Sequence, residues 1–155
     1  MRDVDHPARR QFAGLAYFPV GAGWVVDARF EAYDPPKRIP IMDILGEERH
    51  MSAPGALVFQ KDGHLWRLDA IEEEPGAEEL FIMFADRTSA RETYGAGRFL
   101  YVPRPVNGRV PVDFNKAYNP PCAFNDFATC PLPPPQNRLE LRVEAGELTY
   151  RRPGA

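Results

Sequence analysis

The stretch "LVFQKDGHLWRLDAIEEEPGAEELFIMFA", from Leu57 to Ala85, decides the fold class. Its apolar residues fall in short runs broken by Asp62-Gly63 and Pro75-Gly76. Asp-Gly suits a two-residue type I′ loop, in which both central residues take positive φ. That loop sets Phe59 opposite Trp66 and Leu57 opposite Leu68, with all four side chains on one face. Reading Pro75-Gly76 as a second two-residue loop sets Ala70 opposite Phe81 and Leu68 opposite Met83, so Trp66, Leu68, Phe81 and Met83 extend the same core face. "ELFIMFA" is apolar on both faces, which predicts a central strand covered from both sides. The acidic residues 72–74 and 78–79 fall at the hairpin tip and are expected to form a solvated, aggregation-resistant edge.

Outward from this stretch, strand signals continue and helical periodicity is almost absent. In "WVVDARFEAY", Trp24, Val26, Ala28, Phe30 and Ala32 share one face, with Asp27, Arg29 and Glu31 on the other. Period 2 marks a half-buried strand, which "DPPK" is expected to stop. Further strands are expected at 12–18, 39–45, 55–61, 64–72, 78–86, 97–102, 109–115 and 138–143. Asn107-Gly108 signals a third hairpin. In its register Tyr101 faces Phe114 beside Phe99, Val110 and Val112, and the opposite side carries Leu100, Val102, Asp113, Asn115 and Arg98. Pro103, Pro105 and Pro111 weaken that ladder, since proline donates no hydrogen bond. The whole chain, 1–155, reads as a single all-β domain: an antiparallel barrel or two-layer sandwich of about eight to ten short strands, with a long Pro-rich ordered loop near the C-terminus.

The net charge is −3, and the only basic clusters are short pairs (Arg9-Arg10, Lys37-Arg38, Arg151-Arg152), so no nucleic-acid partner is expected. No apolar run is long enough for a membrane helix, and the N-terminus shows no apolar signal region. The cytoplasm is therefore the expected compartment, where Cys122 and Cys130 would be reduced thiols. Proline is the outlier. Its 17 residues in 155 are about twice the usual share.

Many of these prolines lie in "DFNKAYNPPCAFNDFATCPLPPPQNRL", Asp113 to Leu139, which also holds both cysteines. The combination of "FADRTSARETYGAGRFL" (84–100), "VDFNKAYNPPCAFNDFATCPLPPPQNRL" (112–139) and "EAGE" (144–147) resembles the bacterial family called domain of unknown function 1684. The resemblance implies a predominantly β fold and no particular reaction. It draws attention to Asp86, Thr88, Tyr94, Arg98, Asp113, Asn115, Tyr118, Asn119, Cys122, Cys130, Asn137, Arg138 and Glu147.

The chemistry of these residues leaves several readings open. Cys122 and Cys130 lack C-x-x-C spacing and a nearby histidine, so buried free thiols are expected ahead of a disulfide, a nucleophile or a metal clip. Arg98, Asp113 and Asn115, on one face beside apolar residues, could line a ligand cavity or form an internal ion pair. A Pro-rich loop leaves carbonyls in need of donors, which Asn119, Asn137 and Arg138 can supply, while Tyr118 offers apolar anchorage. Asp86 and Glu147 could do acid–base work if they met. "YGAGRF" opens a strand and fails the dinucleotide-binding context, and neither G-x-S-x-G nor H-E-x-x-H occurs. No cofactor or metal is expected.

These observations favour a module that binds a small anionic or amphipathic molecule beneath the 115–138 strap. Arg98 would be its anchor, with Asn115 and Tyr118 orienting the ligand. A hydrolase or lyase using Asp113, Asp86 or Cys122 is the alternative. A structural subunit, homo-oligomeric or otherwise, is a third reading.

Overall fold

The computed structural model describes residues 16–149. Six antiparallel strands form one sheet: β1 (Val25–Met42), β2 (Glu48–Lys61), β3 (His64–Glu72), β4 (Glu79–Phe84), β5 (Arg98–Pro103) and β6 (Arg109–Asp113). Their order is β5-β4-β3-β2-β1-β6, and the two end strands approach each other to give a nearly closed, barrel-like sheet. Among the described residues there is no α-helix, only short 3₁₀ turns, and no helix long and apolar enough to cross a membrane.

The interior holds Ala28, Leu57, Phe59, Leu68, Leu80, Ile82, Phe84, Leu100, Val102, Val110 and Val112, with Trp24, Val26 and Phe30 packed against them. The alternation read in "WVVDARFEAY" is thus observed from Trp24 to Phe30, whereas Ala32, at the edge of the bulge in β1, is exposed. Leu139, Leu141, Val143 and Ala145 of the C-terminal segment complete the same cluster. A second cluster covers part of the outer face: Ile39, Ile41, Ala53, Ile71, Phe81, Met83 and Phe99 beneath Cys122 and Cys130. β4 feeds both clusters, as its two apolar faces demand.

The first hairpin has the expected register, with Phe59 opposite Trp66 and Leu57 opposite Leu68. The second does not. Ile71 pairs with Phe81, one residue away from the expected register. Phe81 and Met83 therefore point outward, because a one-residue slip exchanges the faces of a strand. The cause is the turn. The Ala77 N–H donates to the Glu74 carbonyl at 3.0 Å around Pro75 and a Gly76 with φ of 77°. Proline followed by a positive-φ glycine makes a type II turn, whose twist does not match a two-residue hairpin.

The third hairpin keeps its turn but not its ladder. Asn107 and Gly108 take φ of 52° and 74°, and Val106 bridges Arg109. Beyond that, β5 pairs with β4 and β6 with β1. Leu100 and Val102 consequently share the interior with Val110 and Val112, Phe99 faces outward, and Tyr101 is partly exposed. Three prolines flanking the turn remove the donors a direct ladder would need.

The expected strand count also falls, to six. "DPPK" does not end β1. It forms a wide bulge, with Ala32 opposite Gly55 and Lys37 opposite Ala53. The prolines sit where no ladder bond is asked of them. The expected 138–143 strand makes a single parallel bridge, Arg138 to Ala85. The expected 12–18 strand lies mostly outside the described residues. β2 has its own irregularity against β3, between Ser52 and Gly55. It swaps faces there, so Leu57 points inward and Ala53 outward.

Gly55 borders both of these irregularities. A Cβ there would collide with the Phe30 ring and lie 2.6 Å from the Glu31 carbonyl oxygen. Gly55→Ala is expected to cost about 1–3 kcal/mol by overpacking, read as a lower urea midpoint at unchanged slope.

Candidate functional site

Most of the polar residues singled out in the sequence turn out to be fasteners. Arg98 is fully buried. Its guanidinium donates to the carbonyls of Ala145 and Val143 (3.0 Å for the latter) and to Asp86 at 3.4 Å, and lies 5.2 Å from the centre of the Phe84 ring. Burial pulls its pKa below the ordinary arginine value, and the charges of Asp86 and Glu147 oppose that. Asp86 also accepts from the Val143 N–H at 2.7 Å and from Thr88. This pair therefore ties the C-terminal segment into the barrel.

Glu147 accepts from the Asn119 N–H at 2.8 Å, and the Asn119 side chain donates to the Leu148 carbonyl at 2.9 Å. Tyr118 exchanges backbone hydrogen bonds with Phe99, both at 2.9 Å, which extends the sheet beyond β5. Asp113 caps the 3₁₀ turn Phe114–Lys116 through the Asn115 N–H at 3.0 Å. The Asn115 amide in turn holds both backbone groups of Gly21. Arg98 and the Asp113–Asn115 pair are not brought together by any ladder, because β5 and β6 part. The Arg138 side chain is exposed.

Asn137 is fully buried, between β3 and β4, where only Ile71 and Phe81 pair. Its amide oxygen accepts from the Asp69 N–H at 2.8 Å. Its nitrogen donates to the carbonyls of Asp69 at 3.0 Å and Met83 at 2.9 Å. One side chain thus stands in for missing rungs of the ladder.

The cysteines correct an expectation. Cys122 and Cys130 are not free thiols but a disulfide, with Cα atoms 6.2 Å apart, inside the usual range for the bond. The sequence argument rested on an assumed compartment and could not see that the strap doubles back. Between them the chain folds through successive turns, the Asn125 N–H donating to the Pro121 carbonyl and the Ala128 N–H to the Asn125 carbonyl, and the second cysteine lands beside the first. Cys122 accordingly offers no thiolate. Among the described residues no group of three metal-binding side chains exists.

The strap's underside packs onto the outer apolar cluster. A half-open cleft of about 360 Å³ lies at its margin, lined by Tyr33, Lys37, Ile39, Arg67, Asp69 and Gln136. That volume is at the small end of the roughly 300–1,000 Å³ range of ligand sites. Tyr33 and Lys37 bracket the bulge in β1, and Arg67 and Asp69 come from the outward face of β3. Gln136 comes from the end of the strap.

The floor of the cleft is fixed. The Tyr33 hydroxyl donates to Asp69 at 2.6 Å and accepts from Arg67 at 2.7 Å. Gln136 donates to the other Asp69 oxygen at 3.0 Å. Burial, reinforced by the bond to Asp69, holds the Tyr33 phenol above its usual pKa, so it stays a donor. Arg67 also pairs with Glu31 at 2.8 Å, and its pKa is raised by its bonds to Tyr33 and Glu31. The Lys37 ammonium rests 4.0 Å from the centre of the Tyr33 ring. None of the lining residues was singled out in the sequence. The one available signal was "YDPPK", where two prolines inside a strand imply a bulge, and bulges often re-aim side chains at sites.

A second groove, of about 430 Å³, runs between the Ile44-Leu45 turn and the disulfide loop, next to Tyr94 and Phe127. Its lining mixes Ile44, Leu45 and Phe127 with Asn125, Asp126 and Thr129, and it contains no cationic side chain.

The fold and cleft define an all-β protein with a barrel-like sheet, an outer strap and a charged marginal cleft. The chain belongs to the family described as "Protein of unknown function (DUF1684)", whose model matches residues 10–148. It is similar to an uncharacterized protein of Haloarcula marismortui known from a solution NMR structure. The TM-score is 0.73 at 31% identity, over 93% of this chain and 81% of that one. No curated protein matches.

Two outcomes follow from the fasteners. Asn137→Ala strands three buried backbone groups and is expected to cost about 3–5 kcal/mol in urea unfolding. Reducing Cys122–Cys130, or replacing both by Ser, opens a loop with a sequence separation of 8 and is expected to cost about 2–3 kcal/mol, read as a lower melting temperature.

Proposed function

We propose that the protein binds a small anionic or amphipathic molecule in the Tyr33–Asp69 cleft at the margin of the strap. The carrying observation is Lys37. Among the described residues its ammonium has only the Tyr33 ring as partner and no carboxylate. It shares the cleft with Arg67, beside the buried apolar side chain of Ile39. Apolar walls with a few fixed polar groups are the usual make-up of a small-molecule site. The ligand lies beside the strap, touching Gln136, and Arg98 serves to hold the frame. The hydrolase or lyase reading has less support, since Asp86 is saturated with donors, Asp113 caps a turn and Cys122 is bonded to Cys130.

The cytoplasmic location expected from the sequence sits poorly with the Cys122–Cys130 disulfide, because disulfides persist in oxidising compartments. Alkylating thiols in intact cells before lysis decides between the two.

The site is tested by a paired native and denaturing mass spectrum, followed by thermal shift against a panel of small carboxylates and phosphates. A ligand at one hundred times its Kd is expected to stabilise by about 2.7 kcal/mol, and Lys37→Met is expected to abolish the shift. No excess mass, together with no shift for any anion, would refute the site.

A further inference from the structure

We infer that the cleft selects monoanions, specifically a carboxylate carrying an apolar body, and that Asp69 sets this selectivity. The inference rests on the anion-binding reading above and goes on to name the ligand class.

The outward face of β1, β2 and β3 has two zones. One is solvated and charged, with Arg29, Glu31 and Arg67 paired among themselves. The other is apolar, with Ile39, Ile41, Ala53 and Ile71 beneath the strap. The cleft occupies the boundary. A ligand seated there meets cations on one side and Ile39 on the other, which is the pattern of an amphipathic anion.

The charge of that anion is limited by the floor. Asp69 is only 6% exposed. Its carboxylate accepts from a phenol and an amide, and among the described residues no cation lies within ion-pair distance of it. Its negative charge is therefore felt by anything in the cleft, and burial weakens the solvent screening of that charge. Arg67 is already committed in part to Glu31 and Tyr33. Lys37 alone is uncommitted, so one negative charge is matched and a second meets Asp69. The Tyr33 hydroxyl cannot relieve this, because its proton already points at Asp69.

The test compares hexanoate with hexyl phosphate by isothermal titration on the wild type and on Asp69→Asn, which keeps the shape of the floor. At about pH 7.5 hexanoate is expected to bind the wild type about tenfold more tightly, the size of effect that one extra charge produces near a half-exposed site. Asp69→Asn is expected to bring the two within about threefold. A second reading uses the wild type alone. A phosphate monoester loses its second charge near pH 6, so hexyl phosphate should bind several-fold more tightly at about pH 5.5, with hexanoate reporting any change in the protein itself. Equal or tighter binding of the phosphate at pH 7.5, or a ratio unmoved by both Asp69→Asn and pH, overturns the selectivity while leaving the anion site standing. Failure of both ligands, and of every other anion, to bind the wild type overturns the site and the selectivity together.

Discussion

The amide of Asn137 is the contact on which the other features depend. Beyond the type II turn at Pro75-Gly76, β3 and β4 pair only at Ile71 and Phe81, which leaves neighbouring backbone groups without a strand partner. Backbone groups stranded in a protein interior cost about as much as lost hydrogen bonds. Asparagine carries both an acceptor and two donors on one planar group, so a single side chain can complete the two strands at once. In doing so it fixes the end of the strap to the sheet. It also fixes the backbone of Asp69, whose side chain is the floor of the cleft.

The same logic explains why so many polar residues are buried here. Segments rich in proline or without regular pairing present carbonyls that no neighbouring strand satisfies. Around 143–145 the donor is Arg98, whose charge is balanced by Asp86. Around 119 and 147–148 the donor is Asn119, with Glu147 accepting in return. A buried ion pair contributes little net stability against a well-packed apolar substitute. Its value lies in fixing where an irregular segment docks. These side chains are therefore framework, although in sequence they look like a site.

That resemblance between framework and site shows what the sequence could and could not disclose. Local geometry was legible. Period 2 in "WVVDARFEAY" and the Asp62-Gly63 turn gave the faces and the register directly, and two apolar faces in "ELFIMFA" implied cover on both sides. The errors came where a proline altered a turn or a ladder, since its effect depends on whether the strand partner needs an N–H at that position. The second hairpin, the split of β5 from β6 and the continuation of β1 through "DPPK" are three instances. The disulfide failed for a different reason. Two cysteines eight residues apart can meet only if the intervening chain reverses, and nothing in the residue types alone announced that reversal.

The cleft was illegible because its residues are unremarkable one at a time. Tyr33, Lys37, Arg67 and Asp69 each read as ordinary outward-facing strand residues. Their meeting requires the bulge in β1, which puts four of its residues, 33–36, between pairs that β2 spans with only Pro54. At that discontinuity the sheet's outer face passes from charged to apolar and the strap ends. A regular ladder would have paired the two zones off against their neighbours and left no recess. The prolines that interrupt β1 thus do for the cleft what Asn137 does for the strap: they turn a failure of regular pairing into a fixed arrangement of side chains. Function in such a sheet is best sought at its irregularities, where backbone geometry, rather than residue identity, gathers the chemistry.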